Sequence, residues 1–106
     1  MCMIYKVVRE GKVAVLTTVD FGAGWSTWNK DTPECLFDPE TVMWIEMGRP
    51  EESMPDFEAK FGEAFYAGGV NNLVIRWLPE GTKFWILEYD GRETIQFPED
   101  FDWITA

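Results

Sequence analysis

The stretch Lys83-Phe84-Trp85-Ile86-Leu87-Glu88-Tyr89-Asp90-Gly91-Arg92-Glu93-Thr94-Ile95-Gln96-Phe97 decides the fold. Asp90-Gly91 between two β-rich runs is the strongest short signal for a tight hairpin, because both central residues of a type I′ turn need positive φ. It predicts strands over residues 83–89 and 92–97. The two-residue loop also fixes the register: Tyr89 faces Arg92, Glu88 faces Glu93, Ile86 faces Ile95 and Phe84 faces Phe97. The last two pairs make an apolar face that Glu88 and Glu93 extend. Carboxylates directly opposite one another cost a few tenths to about 1 kcal/mol. The pair therefore needs a cation such as Arg76 or Lys83, or solvent at the sheet's end.

Upstream, residues 73–78 read as a strand closed by Pro79-Glu80-Gly81-Thr82. Residues 3–8 and 13–19 are β-rich and flank Arg9-Glu10-Gly11-Lys12, a second tight hairpin. Between these strand groups lie two helix signals. Asp38 caps the first, Pro39 takes its first position, and Gly48 stops it after about Met47. Met43, Trp44 and Met47 on this helix are expected in the core. Ser53 with Asp56 resembles a capping box for the second helix. Phe57, Phe61 and Phe65 recur every four residues along it, and Gly68-Gly69 ends it. In the acidic tail, Phe101, Trp103 and Ile104 are expected to pack back. The prediction is a single α+β domain over residues 1–106, in the order ββ-αα-βββ, with two helices on one face of a mostly antiparallel sheet.

Composition narrows the chemistry. The 106 residues are 46% hydrophobic and 16% aromatic, enough for a true core. There is no histidine, which removes the commonest general base, the commonest metal ligand and any Ser-His or Cys-His nucleophile. No catalytic residue, metal or cofactor is expected. Cys2 and Cys35 do not make a disulfide framework and read as free thiols of a reducing compartment. No apolar run approaches the roughly 20 residues that span a bilayer, and the first residues lack a signal-peptide pattern. A cytoplasmic protein without membrane contact follows as the expectation.

The formal charge is −10 and is unevenly placed. Residues 1–30 hold four bases against two acids, whereas residues 31–67 hold ten acids against two bases. Direct nucleic-acid binding is disfavoured by such a charge.

Two constellations stand out. The first is the loop Phe21-Gly22-Ala23-Gly24-Trp25-Ser26-Thr27-Trp28-Asn29, inside the basic third of the chain. Gly22 and Gly24 let backbone amides approach an anion, Trp25 and Trp28 offer flat faces for stacking, and Ser26 and Thr27 add hydrogen bonds. The plainer alternative is that the tryptophans plug the edge of the core. The second is the hairpin tip, where Glu88, Tyr89, Arg92 and Glu93 would clamp a ligand's polar groups.

The run Leu73-Val74-Ile75-Arg76-Trp77-Leu78-Pro79-Glu80-Gly81-Thr82, followed by Glu88-Tyr89-Asp90-Gly91-Arg92-Glu93, resembles the ending of a group of small uncharacterised phage and bacterial proteins. Phe21 to Ser26 match the Gly/aromatic turn that members carry after an early strand. The resemblance covers about a third of the chain. It implies a phage-type accessory protein, of a kind that counters host defences in the host cytoplasm. On that view the chain binds and sequesters a small nucleotide-like ligand through the Gly/Trp loop, without turning it over. The alternative is an acidic inhibitor or DNA mimic that occupies a host defence protein through the middle segment. Six tryptophans in so short a chain also point to a homo-oligomer.

Overall fold

A computed structural model describes residues 5–98. The fold is α+β: β1 (Val8–Arg9), β2 (Lys12–Thr18), α1 (Pro39–Glu46), α2 (Phe57–Phe61), β3 (Leu73–Pro79), β4 (Trp85–Tyr89) and β5 (Arg92–Gln96) follow in the order ββ-αα-βββ. Short 3-10 turns fill the connections at Ser26–Trp28, Pro33–Phe37, Glu51–Ser53 and Val70–Asn72.

Both hairpin turns have the expected geometry. Glu10 and Gly11 take φ of 51° and 77°, and Asp90 and Gly91 take 51° and 91°, the doubly positive signature of type I′. The terminal hairpin pairs Ile86 with Ile95, Glu88 with Glu93 and Tyr89 with Arg92.

The strands divide into two antiparallel sheets, β1-β2-β3 and β4-β5, rather than forming one. Glu80 N–H donates to the Gly11 carbonyl (2.8 Å), which ties the end of β3 to the first hairpin. The second hairpin instead anchors its tip on β2, where the Thr18 hydroxyl donates to the Gly91 carbonyl at 2.5 Å.

Register places Ala14, Leu16 and Thr18 of β2 opposite Trp77, Ile75 and Leu73 of β3. On this face Ala14, Leu16 and Leu73 join Val42 and Trp44 of α1, Phe57 of α2 and Trp25 in the main core. Both helices thus cover one side of the larger sheet.

α1 begins as expected, with the Asp38 carboxylate accepting from Thr41 N–H (3.1 Å) and the Thr41 hydroxyl (2.6 Å). Trp44 is buried as expected, but Met43 and Met47 are not core residues: they are 55% and 63% exposed. The helix turns its Val42 and Trp44 side inward, which leaves positions 43 and 47 outside.

α2 is capped by Asp56 alone, through Ala59 N–H at 3.1 Å, and stops after five residues because Gly62 turns to φ 101°. Gly68-Gly69 is therefore not its end. A Cβ on Gly69 would sit 2.8 Å from the Ala23 carbonyl oxygen, so that glycine permits close packing against the Gly/aromatic loop. Phe57, Phe61 and Phe65 still gather, and Phe57 and Phe65 meet the Trp25 ring edge-on at 5.2 and 5.1 Å. Among the described residues no helix is long and apolar enough to cross a membrane. Cys2 and the tail residues Phe101, Trp103 and Ile104 lie outside the described residues.

Candidate functional site

The two constellations, distant in sequence, meet in space. Gly22 N–H donates to the Asp90 carbonyl (2.7 Å), tying the loop to the hairpin tip. A Cβ on Gly91 would collide with the Ala23 backbone nitrogen, so only glycine allows this approach.

Glu93 locks the unit. It is 4% exposed. One carboxylate oxygen accepts from Thr18 N–H (3.0 Å). The other accepts from Trp25 N–H (2.8 Å), Thr27 N–H (3.1 Å) and the Thr27 hydroxyl (2.5 Å). The loop amides that sequence reasoning offered to an external anion thus hold the protein's own carboxylate. This also resolves the Glu88–Glu93 repulsion without a cation. Amide dipoles solvate Glu93, and Glu88 accepts from Gly91 N–H at 2.7 Å.

The rest of the loop is fixed from inside. Trp25 is 0% exposed, and its indole N–H donates to the Cys35 carbonyl (2.9 Å). The buried Asn29 amide donates to the Trp25 and Tyr66 carbonyls and accepts from Tyr66 N–H. Gly24 lies under the Thr27 hydroxyl and the Trp28 ring, and the Ser26 carbonyl accepts from Asn29 N–H. Trp28 points the other way: it is 42% exposed and stacks on Tyr66 at 5.7 Å. Of the two tryptophans, one is core and one is surface.

Outward-facing chemistry sits beside the loop. Tyr89 is 76% exposed and meets Phe21 edge-on at 6.2 Å. Phe21, Leu87, Tyr89, Arg92 and Thr94 line a recess of about 210 Å³. A larger groove of about 580 Å³ shares Arg92 and Thr94 with it. That groove runs between Ile75, Arg76, Trp77 and Leu78 of β3 and the Arg92-to-Ile95 stretch of β5, with Phe97 at one end. Consecutive residues on both sides show that it follows two strand edges, since β3 is the outer strand of its sheet and β5 belongs to a sheet of only two. Neither Arg76 nor Arg92 is in an ion pair with a described residue.

No protein-family model, curated protein or solved structure matches this chain.

The expected site residues therefore sort by role. Gly22, Gly24, Trp25, Thr27 and Glu93 build the scaffold, while Tyr89 and Arg92 face solvent beside the two cavities. Phe21, Leu87, Thr94 and Arg76 escaped notice as site residues. The hairpin register could have found two of them: if Tyr89 and Arg92 share a face, so do Leu87 and Thr94.

No group of three or more potential metal ligands occurs among the described residues. Cys35 is a buried free thiol. Burial, and then the nearby charges of Glu93, Glu34 and Asp38, push its pKa well up. An acid whose pKa is raised on folding stabilises the fold below the pKa it has when unfolded, about 8.5, and that stability falls as pH rises beyond it. Relative to a Cys35→Ala variant, the protein should lose about 1.4 kcal/mol per pH unit above that point. Urea unfolding of both proteins at pH 8, 9 and 10 checks this; parallel pH curves would refute it.

Proposed function

We propose that the chain is a binding protein without catalytic turnover, which holds a small nucleotide-like ligand in the groove between β3 and β5. The observation that carries this reading is the pairing of aromatic surface with two arginines that form no ion pair among the described residues. Arg76 and Arg92 line a cavity of about 580 Å³, within the roughly 300–1,000 Å³ typical of small-molecule sites. Guanidinium groups suit phosphate oxygens through bidentate hydrogen bonds. Phe21 and Tyr89, in the recess that shares Arg92 and Thr94 with the groove, supply planar surface for a base. In a protein of charge −10, two arginines at one cavity without an ion-pair partner among the described residues favour an anionic occupant.

In this reading the Gly/Trp loop is a support rather than a contact surface. Glu93 holds it against the hairpin, and the hairpin in turn presents Tyr89 and Arg92. Trapping a ligand needs no general base, which suits a chain with no histidine. In the phage-type setting, such trapping would withdraw a nucleotide-type immune signal from its host receptor.

Calorimetry with cyclic nucleotides and ADP-ribose derivatives tests this. At least one should bind, be recovered chemically unchanged, and bind at least about a hundredfold more weakly to Arg76→Ala/Arg92→Ala, since each charge-assisted contact contributes about 1.5–3 kcal/mol. Silence across the panel at millimolar ligand, or equal affinity in the double variant, would overturn the proposal. Recovery of an altered ligand would replace binding by catalysis.

A further inference from the structure

The recess and the groove meet at β5. Side chains alternate along a strand, so Arg92 and Thr94 share the outer side of the hairpin with Leu87 and Tyr89, while Glu93 and Ile95 lie on its inner side. Arg92 and Thr94 nonetheless line both cavities, and so form the ridge between them. The groove also has a direction. Glu93 accepts from Thr18 N–H at 3.0 Å, and Thr18 pairs with Leu73, the first residue of β3. Arg92 therefore marks the end of the groove nearest the start of β3. Arg76 follows, and Leu78 lies two residues further along the same side of that strand. Leu78 shares the groove with Ile95 of β5. The walls thus pass from cationic to apolar.

The cationic part is small. Arg76 and Arg92 are the only cations among the described residues that line the groove. Two positive charges match about two negative ones. A bridge of two phosphates, each esterified, carries about −2 at pH 7, because neither phosphate keeps the second acidic proton of pKa about 6; a terminal triphosphate carries about −4. The space is larger than the charge requires. At about 30 Å³ per water, a groove of about 580 Å³ holds far more than two phosphate groups.

Resting on the nucleotide reading of this site, we infer that the ligand is a dinucleoside diphosphate. One base lies on Tyr89 and Phe21 in the recess, the two bridging phosphates lie on Arg92 and Arg76, and the second nucleoside runs on to Leu78 and Ile95. Those apolar walls suit the flat face of a base. A free triphosphate brings more negative charge than two arginines offset, and leaves the apolar end of the groove unfilled. A mononucleotide matches the charge, at about −1.5 to −2, but not the length.

Calorimetry on the whole chain compares AMP, ATP and diadenosine diphosphate, with their guanosine counterparts. For at least one base, the dinucleoside diphosphate should bind at least about tenfold more tightly than the monophosphate and the triphosphate, because its second nucleoside buries against Leu78 and Ile95 at no added charge. Leu78→Ser should cut that preference to about threefold or less. Thermal unfolding checks that this variant is folded, and the ranking of ligands on the unaltered protein decides the matter without it. Equal affinity for monophosphate and dinucleoside diphosphate would overturn the two-headed ligand and leave the nucleotide reading standing. Affinity that climbs with phosphate count would do the same, as would a preference that folded Leu78→Ser retains in full. Silence from every ligand would overturn both.

Discussion

Replacing Glu93 by alanine should destabilise the protein by about 3–5 kcal/mol, the range for breaking a buried polar network. Its carboxylate is the acceptor for three backbone amides and one hydroxyl. Truncation leaves those donors without a partner in a nearly water-free site, at about 1–3 kcal/mol for each that stays unsatisfied. Water entering the cavity would recover part of this, so the total falls short of the sum. Glu93→Gln should cost less, about 2–3 kcal/mol, because its carbonyl still accepts while its amino group faces donors and finds no acceptor. For a chain of this size, Glu93→Ala should lower Tm by roughly 12–25 °C. Urea and thermal unfolding of both variants decide the matter. A loss below about 1 kcal/mol for alanine would mean that water serves these amides as well as the carboxylate does.

Trp25→Ala should be comparably damaging, at about 3–5 kcal/mol. The ring is fully buried, is flanked edge-on by Phe57 and Phe65, and donates its N–H to the Cys35 carbonyl. Trp25→Phe keeps much of the packing and loses the hydrogen bond, so a smaller loss of about 1–2 kcal/mol is expected. Trp28→Ala should cost about 1 kcal/mol or less, because that ring is half exposed and packs on the surface against Tyr66. Equal effects at positions 25 and 28 in urea unfolding would contradict this division of the loop into an inner and an outer tryptophan.

Local chemistry was the legible part of the fold. Asp90-Gly91 and Glu10-Gly11 specify their turns and registers without help from the rest of the chain, and Asp38-Pro39 specifies the start of α1. Sheet membership was not legible, because it depends on where the second hairpin docks. That is settled by Glu93 and Gly91 meeting β2 and the loop, not by the hairpin's own sequence. The length of α2 was misjudged for a related reason. Three phenylalanines at fourfold spacing mark a helix equally well as they mark a cluster around one buried ring. At the candidate site, the sequence identified the loop and the hairpin tip but not that each is the other's partner. An amide nest and an acidic residue read separately as a receptor and a clamp; brought together, they neutralise each other's demand. Arg76 was visible only as a possible counter-ion for Glu88 and Glu93, a task that backbone amides perform instead.

Glu93 reaches back 75 residues to Thr18, 68 to Trp25 and 66 to Thr27. During synthesis, β2 and the backbone amides of Trp25 and Thr27 emerge from the ribosome long before the acceptor that fixes them. The entropy of closing so wide a span is met only once β5 has emerged. A nascent chain that stops short of β5 carries apolar strands and an untethered loop. Such a fragment is a ready client for holdase chaperones and proteases until the β4-β5 hairpin docks on β2 and the loop.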